Sequence, residues 1–200
     1  MSVRAFILAT VPLFAAVVAV PAAAVSIFNV TLSAANEVPP TVSAGMGNGT
    51  LMLSDDMNTL FANISFTNLT APALKGHVHC CAPIGSDAAV AIPLSVTPAK
   101  SGMLTGMIDL TKLSSYDAEF LAAYGSSVTT LRSTFLSGLE GGLAYVNLHT
   151  ATYPTGEIRG QAAAAATGAV PEPSAWLLMI TGFGLVGAAV RRRHVNTVAA

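Results

Sequence analysis

Tyr145-Val146-Asn147-Leu148-His149 alternates polar and apolar residues without a break. Successive side chains of an extended strand point to opposite faces. That spacing puts Tyr145, Asn147 and His149 on one face and Val146 and Leu148 on the other, as in a strand with one face in a core. Outward from it, the chain keeps the same rhythm. Residues 27–32, 49–53, 60–66, 74–79, 90–96, 103–110, 143–149 and 157–162 are short runs rich in β-branched, aromatic or alternating residues, punctuated by Gly, Pro, Asn, Asp and Ser. Such spacing predicts an all-β sandwich or barrel. One stretch breaks the pattern: Ser114-Ser115-Tyr116-Asp117 opens a segment with Phe120, Leu121 and Tyr124 at helical spacing, and Val128 to Leu139 reads as a second helix. Gly141-Gly142 ends this short helical insertion, which is expected to cover one end or edge of the sheets.

Both ends of the chain carry addresses. Met1-Ser2-Val3-Arg4 is a short basic region, Ala5 to Val20 is apolar, and Pro21-Ala22-Ala23-Ala24 offers small residues at Ala22 and Ala24 for cleavage, which is the pattern of a secretory signal peptide over 1–24. At the other end Pro171-Glu172-Pro173 precedes an uncharged run, 174–190, followed by Arg191, Arg192 and Arg193. The run approaches the roughly 17–25 residues of a membrane-spanning helix. The arginines then stay cytoplasmic and everything upstream faces out. An alanine-rich linker, 164–169, joins this segment, 170–200, to the domain at 25–163.

Hydrophobic residues make up 52% of the chain, inflated by these two terminal segments, and the formal net charge is -1. Near-balanced charge gives no basis for nucleic acid as a partner. The sequence holds no Gly-x-Ser-x-Gly elbow, no phosphate loop and no evident nucleophile beside a base.

The candidate chemistry lies in two strand-like segments. In Gly76-His77-Val78-His79 the histidines share a face, about 7 Å apart along the strand, so both imidazoles can meet one metal ion. His149 supplies a third. Asn147, Glu157 and Arg159 are candidates to orient these ligands from behind. The alternative is a structural polar network. Cys80-Cys81 follows His79 directly. Adjacent cysteines admit a strained vicinal disulfide, thiolate ligation beside the histidines, which would favour Cu(I) or Zn, or reduced or intermolecularly paired thiols.

Two resemblances follow from these motifs. Residues 170–193 resemble the PEP-CTERM sorting signal of Gram-negative bacteria, whose Pro-Glu-Pro motif is read by the membrane enzyme exosortase; the extension from His194 to Ala200 departs from the usual ending. This implies a precursor routed through the secretion machinery and held transiently in the inner membrane, its domain in the periplasm. It is then sorted to the cell envelope or extracellular matrix, where polysaccharide is a partner by association. Leu32-Ser33-Ala34-Ala35-Asn36-Glu37-Val38-Pro39-Pro40, Gly45, Gly47 and Gly49, His77-Val78-His79, and the run from Tyr145 to Gln161 together resemble the CHRD domain of secreted proteins. That resemblance implies an immunoglobulin-like, Greek-key β-sandwich acting as a non-enzymatic structural or binding module. The alternative is a copper- or zinc-binding sandwich with minor redox chemistry. His77-Val78-His79 is similar to a copper-binding strand of copper/zinc superoxide dismutase, but the further histidines and bridging ligand of that enzyme have no counterparts in matching positions.

Overall fold

The computed structural model describes residues 26–165, 178–187 and 191. Its strands are β1 Ser26–Ser33, β2 Met46–Leu53, β3 Thr59–Thr67, β4 Ala73–His79, β5 Val90–Val96, β6 Gly102–Asp109, β7 Tyr145–Thr150 and β8 Ile158–Ala164. Two helices, α1 Ala118–Tyr124 and α2 Val128–Glu140, interrupt them between β6 and β7.

The strands close into an antiparallel barrel in the order β1-β2-β3-β6-β5-β4-β7-β8, which corrects the expected immunoglobulin-like sandwich. Closure is made by the first and last strands. Phe28 pairs with Ala164, Val30 with Ala162 and Ser33 with Arg159. A sandwich needs two sheets with open edges, and here every strand has two partners. Small residues permit the seam: a Cβ on Gly160 would collide with the backbone of Thr31. The order retains Greek-key crossings, since β4, β5 and β6 are consecutive neighbours while β7 returns beside β4.

Inward residues such as Phe28, Leu32, Leu51, Ile64, Phe66, Val78, Ile92, Leu104, Val146, Leu148 and Ile158 form one buried cluster. Phe120, Leu131, Phe135 and Leu139 from the helices belong to it, and the insertion lies along the start of β5, where the Asp117 N–H donates to the Ala91 carbonyl and the Val90 N–H to the Glu119 carboxylate. α1 begins one turn later than the sequence suggests, because Asp117 rather than Ser114 caps it, accepting from the Glu119 N–H. α2 is fixed from outside as well, with the Arg132 guanidinium donating to the carbonyls of Asp56 and Met57 in the β2–β3 turn.

Residues 178–187 are helical. Among the described residues no helix is long and apolar enough to cross a membrane. The remainder of the expected span, 174–177 and 188–190, lies outside the described residues, as do the signal peptide with Ala22 and Ala24, residues 166–169 of the linker, Pro171, Glu172, Pro173, Arg192 and Arg193.

Candidate metal centre

β4 and β7 pair antiparallel with Lys75 opposite His149, His77 opposite Asn147 and His79 opposite Tyr145. Val78, Val146 and Leu148 fill the barrel, so the alternating partners stand on its outer face. There the ring nitrogens offered by His77, His79 and His149 lie within 4.8 Å of one another. His77 Nδ1 is 3.2 Å from His149 Nε2.

Backbone carbonyls decide which nitrogen of each ring is free. His79 Nδ1 meets the Ala88 carbonyl at 3.0 Å and His149 Nδ1 meets that of Pro154 at 3.1 Å. A carbonyl only accepts, so both Nδ1 atoms carry the proton and both Nε2 atoms present a lone pair. The Nε2 of His79 is buried without a hydrogen-bond partner. A buried acceptor left unpartnered by the protein is costly, and a water or a metal ion can satisfy it. Burial holds all three rings below the ordinary imidazole value of 6.5; for His77 the repulsion of His149 and His79 adds to burial and brings it to about 4. At neutral pH the cluster is therefore three neutral imidazoles.

A second layer fixes this arrangement. The Ala88 N–H donates to the Tyr145 hydroxyl at 3.2 Å, while the Tyr145 ring stacks on His79 with centroids 4.7 Å apart and planes 5° from parallel. The Arg159 guanidinium carbon lies 4.7 Å from the centre of the Tyr145 ring. Arg159 Nε donates to Glu37 Oε2 at 2.8 Å and Nη2 to Asp87 Oδ1 at 2.7 Å, joining the β1–β2 connection to the loop that carries Ala88. Burial raises the Glu37 carboxyl above 4.5 against the pull of Arg159.

Of the residues expected to orient the ligands, none bonds a histidine ring. Arg159 acts through Tyr145 and Asp87. Asn147 is buried with its Oδ1 unpartnered. Glu157 is engaged elsewhere: its carboxylate accepts from the hydroxyls of Ser43, Thr70 and Thr150 and from the Thr70 N–H at 2.6–2.9 Å. Burial alone would raise its pKa, and these donors bring it below 4.5 instead. Cys80 and Cys81 are disulfide-bonded to each other, and both sulfurs pack on Gly138 of α2, where a Cβ would overlap them. Glu37 anchors the β1–β2 connection to Arg159. The groups that orient the rings, the carbonyls of Ala88 and Pro154, were invisible in the sequence because every residue has a carbonyl.

Three imidazole nitrogens at this spacing suit Zn or Cu. Ligands about 2.0–2.1 Å from a tetrahedral ion lie roughly 3.4 Å from one another, close to the observed separation of His77 and His149. A closed antiparallel barrel with a histidine cluster on its outer face, under loops pinned by a buried arginine, is thus the class that fold and site define. The CHRD domain profile matches residues 28–162, and the chain belongs to the CHRD domain family. The PEP-CTERM protein-sorting motif matches residues 169–193. That motif implies processing by exosortase, export and sorting to the cell surface. No curated protein and no solved structure matches the chain.

Proposed function

We propose that this chain is an exported CHRD module that binds one copper or zinc ion through His77, His79 and His149, and serves the cell envelope or extracellular matrix as a structural or binding component rather than as a catalyst. The observation that carries the reading is the pair of carbonyl-locked tautomers, which turns the lone pairs of His79 and His149 toward the cluster with His77. Carbonyl-bonded imidazoles of this kind are the ordinary support of metal ligands. The secretion machinery, the inner membrane and matrix polysaccharide enter as partners through the sorting signal, with the domain in the periplasm before delivery.

Elemental analysis of the full chain in detergent, beside a His77→Ala, His149→Ala double variant, tests it. One equivalent of copper or zinc in the parent and none in the variant is the expected result. Failure of the parent to take up either ion after reconstitution overturns the metal reading and leaves a structural module with a polar network.

A further inference from the structure

The cluster has an open side, and its position follows from the strand. Along β4 exposure rises from His79, 8% exposed beneath the Ala88 loop, through half-buried His77 to exposed Lys75. His149 is half-buried as well and pairs directly with Lys75. Lys75 and His77, two apart on β4, share the outer face. Among the described residues Lys75 makes no ion pair or side-chain hydrogen bond.

The ligand set carries no negative charge. Both carbonyl-locked rings are neutral, and the acidic groups around the cluster are committed elsewhere. Asp117 caps α1, Glu119 accepts from the Val90 N–H, and Glu37 and Asp87 pair with Arg159. The cysteine sulfurs are bonded to each other. A divalent ion held by three neutral imidazoles keeps its full charge, and three protein ligands leave a tetrahedral ion one free position.

We propose that this fourth position opens toward Lys75 and takes a small monoanion of the carboxylate or azide type, held between the metal and the Lys75 ammonium. The proposal rests on the metal-binding reading above and names the ligand class of that same site.

The test uses the full chain loaded with cobalt(II) and titrated with sodium azide at constant ionic strength, read in the visible absorption bands of the ion. Azide is expected to shift the bands saturably. Lys75→Gln is expected to weaken azide about three- to tenfold, as one lost charge at a hydrated site should, with cobalt stoichiometry unchanged, while Lys75→Arg keeps parental affinity. Cobalt bound at one per chain with bands that azide does not move, or equal azide affinity in Lys75→Gln, overturns the proposal alone. Absence of cobalt binding overturns the metal reading and this proposal together.

Discussion

His77 Nδ1 and His149 Nε2 stand 3.2 Å apart across two strands, although the residues are 72 positions apart in sequence. A hydrogen bond between them has His77 Nδ1 donating to His149 Nε2, because His149 commits its own Nδ1 proton to Pro154. Adding a second proton to this pair is resisted by burial and by charge repulsion.

That resistance fixes a pH dependence. An unfolded His77 takes up its proton near 6.5, whereas the folded one holds out until about 4. The unfolded state therefore binds more protons in this window, and stability falls as pH falls. Metal-free protein should keep its full urea midpoint above pH 6.5 and lose it progressively toward pH 4. His79 and His149 shift in the same direction. A His77→Leu variant should show a shallower decline, and an unchanged slope would assign the effect to other groups.

Tyr145→Phe deletes the hydroxyl that accepts from the Ala88 N–H and leaves the ring stacked on His79. An unsatisfied N–H costs about 1–3 kcal/mol, and under the metal-binding proposal loosening the carbonyl that orients His79 lowers metal affinity about 10–100-fold. Chelator competition should register the second effect; parental affinity in this variant would show that Ala88 is held by other means.

Arg159→Leu strands Glu37 without its cation in a buried setting. Removing one member of such a pair costs about 3–5 kcal/mol. The Arg159→Leu, Glu37→Leu double variant should recover a large part of that loss in denaturant midpoint, since no buried unpaired charge remains and Asp87, the other partner of Arg159, is exposed to solvent. Equal losses in single and double variants would mean that packing around Arg159, rather than the pairing, holds the loops.

Gly138→Ala places a methyl group against the sulfurs of Cys80 and Cys81. Overpacking of this kind costs about 1–3 kcal/mol. Ser137→Ala, one residue earlier on α2, serves as the control, and thermal melts of the two variants should separate by several degrees.

The strands and the parity of the histidines were legible in local alternation, and so was the helical insertion. Closure was not. A strand in a barrel and a strand in a sandwich show the same period of two, and the pairing of Phe28 with Ala164 is a relationship between chain ends. The same holds for the site. His77, His79 and His149 could be grouped from parity, while Glu157 shares its residue type with ligand-orienting groups and is drawn away by the hydroxyls of Ser43 and Thr70 from distant loops and of Thr150 at the end of β7.

Closure of β8 onto β1 also bears on life at a crowded cell surface. A sheet with a bare rim offers unpaired backbone groups to any neighbouring copy, and pairing rim to rim is how β proteins aggregate. In this barrel each strand already has a partner on both sides. Among the described residues the first and last strands are therefore closed to rim-to-rim pairing between copies sorted to the cell surface.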